Sequence, residues 1–138
     1  MSAPAHRALL DEGWQLLDDG TFVSHIGSVY TRTAEGCEEL GILTLPVHRN
    51  LSGNVHGGIL MALFDRAMGR HARGLHPGER FATGTMTVDF LRQVRVGDFI
   101  RIRPIAVKDG RRAVFMRGEA HVGERIVGAA SATFLAIH

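Results

Sequence analysis

A carbonyl could be polarised and attacked by two groups that stand close together in this chain: the backbone amides of Gly57 and Gly58, and the carboxylate of Asp65. The two glycines fall at the first turn of an apolar helix, where N–H groups lack intrahelical partners and the helix dipole is positive. Without side chains they let a ligand approach the backbone, and donors so placed stabilise a developing oxyanion. A tight helix start that needs glycine for steric reasons alone explains the pair equally well. Asp65 follows Gly58 by seven residues, and the residues that could touch it on a helix are Met61, Ala62, Met68 and Gly69. None is a cation, and Arg66 projects about 100° around the helix. A carboxylate on a small and apolar face is costly to bury without a purpose and is a recognised sign of a site. The plainer readings are a solubilising surface charge and a buried acid bonded to nearby backbone.

His56 precedes the glycines, and by itself a histidine at a helix start is more often structural than catalytic. The chain has eight histidines, none paired at His-x-x-x-His spacing, and one cysteine, Cys37. A zinc site is therefore not expected. There is no P-loop or dinucleotide glycine motif. Ser52 lacks the strand–serine–helix elbow of a serine hydrolase. No cofactor is implied.

The elements that must hold these groups follow from periodicity. Residues 7–18 place Leu9, Leu10, Trp14 and Leu17 near one helical face, and Asp19-Gly20 stops that helix. Residues 22–33 read as a strand with Phe22, Ile26 and Tyr30 on one side, residues 34–36 as a turn, and residues 38–45 as a second strand ended by Pro46. The Asn50–His56 loop then feeds the helix, which closes near Gly74. Residues 81–91 alternate cleanly, with Thr83, Thr85, Thr87 and Asp89 opposite Ala82, Gly84, Met86, Val88 and Phe90. After a turn at Val96-Gly97-Asp98 come strands over 99–107, 114–120 and 126–137. Asp109-Gly110 joins the first two in a tight hairpin requiring positive φ, and Gly123-Glu124 joins the last two. One long helix facing about six strands implies an α+β domain with an antiparallel sheet curled around the helix. Small residues on the last strand would let the helix come close. The free sheet edge invites a second subunit.

The 138 residues, 45% of them hydrophobic and 22% charged, suit one domain, with an N-terminal helical segment over 1–19 and a core over 20–138. No stretch approaches the ~18 apolar residues of a membrane span. The N-terminus lacks a signal-peptide layout, and a single cysteine asks for no oxidising compartment, so a soluble, cytoplasmic protein is expected. The net charge of +2 comes from scattered arginines, Lys108 being the one lysine. Solvated surface is favoured over nucleic-acid binding; a small anionic ligand also suits arginine.

Asn50-x-x-Gly53-x-x-His56-Gly57-Gly58 with Asp65 beyond it resembles the hotdog-fold acyl-CoA thioesterases of the phenylacetate-pathway type. The stretch from Thr85 to Arg92 and Val96-Gly97-Asp98 also resemble that family, over roughly residues 20–137. The resemblance implies hydrolysis of an acyl-CoA thioester to a carboxylic acid and free CoA. It also implies a homodimer or homotetramer, with one subunit's His-Gly-Gly loop facing the other's helix carboxylate. By that resemblance Gly57 N–H polarises the carbonyl, His56 orients the loop or carbonyl, Asp65 is general base or nucleophile, and Asn50 helps hold water. Thr83 stands near a position where the family often has a hydroxyl. Gly58 would help bind substrate, and the CoA phosphates would need arginines among Arg92, Arg95, Arg111 and Arg112. Gln93 departs from the proline common before the later turn. Asp65 lies about 10 Å along the helix from Gly58 at 1.5 Å per residue, too far to close one site easily within one chain. A hotdog hydratase or dehydratase and a non-catalytic acyl-CoA-binding module are the alternatives.

Overall fold

The computed structural model describes residues 3–137. Its elements are α1 (Ala3–Asp11), β1 (Gln15–Leu17), α2 (Phe22–Ile26), β2 (Val29–Ala34), β3 (Cys37–Leu43), a 3-10 turn (Pro46–His48), α3 (Gly57–Leu75), β4 (Arg80–Phe90), β5 (Phe99–Asp109), β6 (Ala113–Val122) and β7 (Arg125–Ile137). All seven strands join one antiparallel sheet in the order β1-β2-β3-β5-β6-β7-β4. The sheet has one strand more than the six expected, because β1 pairs briefly with β2.

Helix α3 lies on the sheet with Leu60, Leu63, Phe64, Ala67, Met68 and Ala72 buried. Small residues beneath it make the close approach possible. A Cβ added at Gly118 would sit 3.3 Å from the Phe64 ring, and one at Gly128 3.5 Å from it. Fully burying a side chain of this kind contributes roughly 2–3 kcal/mol. The small residues expected on the last strand are there as Gly128, Ala130 and Ala132.

Three local expectations are corrected. The helix of residues 7–18 is shorter: α1 ends at Asp11, Gly13 takes φ 92°, and the chain extends into β1. Trp14 is still buried, but outside any helix, edge-on to Phe99 with Arg32 over its ring. Residues 22–26, expected as strand, form α2. The Asp19 carboxylate accepts from the Thr21 amide, the Thr21 hydroxyl and the Ser24 hydroxyl, and this polar knot turns the chain before β-propensity can act. Gly110 is a hairpin residue but not at positive φ. A side chain there would come within 2.7 Å of the Ala113 carbonyl oxygen, so glycine serves close approach. The turns at 34–36, 96–98 and 123–124 fall where expected, with Gly36, Gly97 and Gly123 at positive φ.

Candidate active site

The loop before α3 is built around Asn50. Its side-chain oxygen accepts from the amides of Ser52 at 2.9 Å and Asn54 at 3.2 Å, while its own amide donates to the Asn54 carbonyl at 2.7 Å. That oxygen is committed to the loop, which leaves the side-chain NH₂ to meet a water or ligand. The buried His48 ties the loop to its neighbours: its Nδ1 accepts from Leu45, its Nε2 donates to the Ile26 carbonyl, and its carbonyl accepts from His56.

His56 is the N-cap of α3, its Nδ1 accepting from the Gly58 amide at 2.8 Å. The two glycines therefore differ. The Gly58 amide is spent on the cap, whereas the Gly57 amide has no hydrogen-bond partner among the described residues, at the positive end of the helix. Each glycine also lies close against a ring that a side chain would have to displace. A Cβ on Gly57 would lie 2.9 Å from the Phe90 ring, and one on Gly58 3.0 Å from His56 Nδ1. Gly57, Asn50, Leu60, Phe90 and Arg92 line a cavity of about 370 Å³.

Asp65 is half-buried two turns further along, and the Thr83 hydroxyl donates to its carboxylate. Simple alternation sets Thr83 with Thr85 and Thr87. A bulge at Gly84 breaks that pattern, so that Thr83 stands opposite Phe134 on the helix side while Thr85 stands opposite Thr133 on the outer side. Asp65 and Thr83 share a cavity of about 280 Å³ with Phe22, Gly69, Arg73 and Phe81. Its α2 wall is braced by Arg66, which pairs with Asp19 and donates to Thr21 Oγ1 at 3.1 Å. A third cavity, of about 500 Å³, lies between α2, the 3-10 turn and the start of α3, with Phe22, Val47, His56, Ile59 and Ala62 on its walls. Phe22 borders both.

Of the four arginines considered for phosphate, Arg92 lines the Gly57 cavity and donates to the Ile126 carbonyl at 2.6 Å. Arg95 is exposed beside the loop, its backbone bridged to Asn54. Arg111 and Arg112 sit in the β5–β6 turn, near the end of β7, away from Gly57. Phe22, Phe90 and Arg73 escaped the sequence reading, since nothing in their spacing shows what they touch across the fold. Burial pushes the Cys37 thiol above its ordinary range, which keeps it protonated rather than a nucleophile. Among the described residues no three His, Cys, Asp or Glu side chains gather as a metal site would require. No helix among them is long and apolar enough to cross a membrane.

Residues 52–129 match the profile of the Thioesterase superfamily. An esterase-named protein of Pseudomonas aeruginosa, PA0474, is 35% identical over 88 residues, which are 63% of this chain and 66% of that protein, so the match spans about two thirds of the relative's length. The structure of the BH2602 protein of Bacillus halodurans with CoA superposes with a TM-score of 0.80 at 20% identity, covering 98% of this chain and 87% of that one. The PaaI protein of the Escherichia coli phenylacetic acid degradation operon gives 0.73 at 20% identity, with 80% of each chain covered. These likenesses identify the fold as the hotdog fold.

Proposed function

The chain belongs to the thioesterase superfamily, and from that premise we propose that it hydrolyses acyl-CoA thioesters at a site shared between two copies. The observation that carries the reading is the pair of half-sites, a free Gly57 amide at one end of β4 and a hydroxyl-bonded Asp65 at the other. Strand β4 is an eleven-residue sheet edge, mostly exposed and paired on one side only. Directly opposed residues of an antiparallel pair share a face. A two-fold axis at Thr87 would set Met86 against the partner's Val88. With the one-residue shift of the Gly84 bulge, it would also set Thr83 against the partner's Phe90. Phe90 sits on Gly57 and Thr83 on Asp65, so the pairing brings the two half-sites together. The CoA complex of the Bacillus halodurans relative supports CoA as the thiol portion.

In this reading the thioester carbonyl oxygen accepts from the Gly57 amide, with His56 and Asn50 holding the loop in place. Asp65 takes a proton from a water as the water oxygen attacks the carbonyl carbon, and the Thr83 hydroxyl fixes the carboxylate's orientation. The tetrahedral intermediate collapses with cleavage of the C–S bond. The proton on Asp65 passes to the departing sulfur, giving a carboxylic acid and free CoA. Asp65→Asn should fold and assemble normally yet release free thiol at least ~100-fold more slowly. Wild-type rates from that variant on a good substrate would remove Asp65 from the mechanism.

A further inference from the structure

The cavity beside Asp65 contains a second charge with no role in the hydrolysis described above. Arg66, Arg70 and Arg73 lie along one side of α3. The first is paired with Asp19 and the second with Glu38, whereas the Arg73 guanidinium has no ion-pair or hydrogen-bond partner among the described residues. A long helical side chain leans toward the helix N-terminus and over the residue four before it, and Arg73 does so. Its Nη1 lies 3.5 Å from where a Cβ on Gly69 would be. Gly69 in turn stands one turn from Asp65. The guanidinium thus reaches back over a bare stretch of helix toward the carboxylate and stops short of an ion pair with it. The space between is walled by Phe22, Phe81 and Phe134.

The geometry points to Arg73 as a specificity-determining residue that holds an anionic group at the far end of the acyl chain. The preferred substrates are then short acyl-CoA thioesters ending in a carboxylate. This rests on the thioesterase reading, with Asp65 at the scissile bond. A cavity of about 280 Å³ suits a short chain, the phenyl walls suit its methylenes, and a planar guanidinium suits a carboxylate as a bidentate partner. The CoA phosphates are an unsuitable occupant. Asp65 and Arg73 are about 12 Å apart along the axis, and the guanidinium folds back to shorten that gap. The gap is less than the pantetheine arm that separates a thioester from its pyrophosphate.

The test compares glutaryl-CoA with hexanoyl-CoA in thiol release, and the corresponding non-hydrolysable thioethers, S-(4-carboxybutyl)-CoA and S-hexyl-CoA, in calorimetric binding. Wild type, Arg73→Met and Arg73→Lys are used as full chains. The wild type should bind the carboxylate-ended thioether about tenfold or more tightly than the neutral one. Arg73→Met should erase that preference while leaving the neutral ligand within about twofold, and Arg73→Lys should restore part of it. Equal wild-type affinities, or an Arg73→Met loss shared equally by both thioethers, would overturn the assignment. A carboxylate preference in binding with no thiol release from either thioester would instead sink the hydrolysis reading and leave Arg73 as a ligand-binding residue.

Discussion

His56 has its proton on Nε2, because Nδ1 accepts from the Gly58 amide. The ring thereby closes the helix start and leaves the neighbouring Gly57 amide uncapped, which is what the proposed mechanism uses. His56→Ala removes a cap worth about 1 kcal/mol and frees a second amide into the loop. The expected outcome is a lower urea midpoint with unchanged m-value and a slower thiol release. His56→Asn, which can cap through its side-chain oxygen, should recover the midpoint. Full activity in the alanine variant would show that the cap does not set the position of the Gly57 amide. Asp65 stood out in the sequence as a candidate because no cation lay three or four residues from it, Arg66 projecting to another side of the helix. His56, Gly57 and Asn50 were legible as a motif. The unequal use of the two glycine amides was not, since either could have been capped. Arg73 and Phe90 were invisible for a different reason: one matters through the absence of a partner and the other through a contact across 33 residues of chain.

The strands and the long helix follow from hydrophobic period, and the structure departs from it where a local polar contact intervenes. Alternation along β4 placed Thr83 with the outward threonines, and only the Gly84 bulge turns it to Asp65. The Asp19 knot likewise converts the first part of an expected strand into α2, the wall of two cavities. Strands β2, β3 and β5 carry a further polar device. Glu39 is buried at 1% exposure and accepts from Arg32 at 3.1 Å and Arg101 at 2.7 Å, with Arg103 at 3.9 Å. Each arginine comes from a neighbouring strand, so the carboxylate staples three strands at one point. Glu39→Ala leaves three guanidinium groups facing one another and should cost on the order of 3 kcal/mol. Chemical denaturation measures it, and a loss below about 1 kcal/mol would mean the arginines simply turn to solvent.

On the scale of the whole molecule, the sheet is closed at neither end, and the longer of its two edges, β4, touches Gly57 through Phe90 and Asp65 through Thr83. The expectation of a second copy was legible from the helix length between Gly58 and Asp65. The axis that would join the copies was not, because it depends on the bulge and on Phe90 lying over Gly57. Under the proposed pairing each site takes its amide from one chain and its carboxylate from the other. Asp65→Asn and Gly57→Ala, whose new Cβ would press on Phe90 at 2.9 Å, each damage both sites of a homodimer. A mixed dimer, however, has one site built wholly from intact parts. The most direct measurement is therefore thiol release from an acyl-CoA by the two variants co-expressed with different tags and isolated as the mixed dimer. Activity near half that of the wild type per dimer, from parents that are each at least ~10-fold impaired, is the expected result. A verified mixed dimer no more active than the mean of its parents would contradict a site shared between two copies.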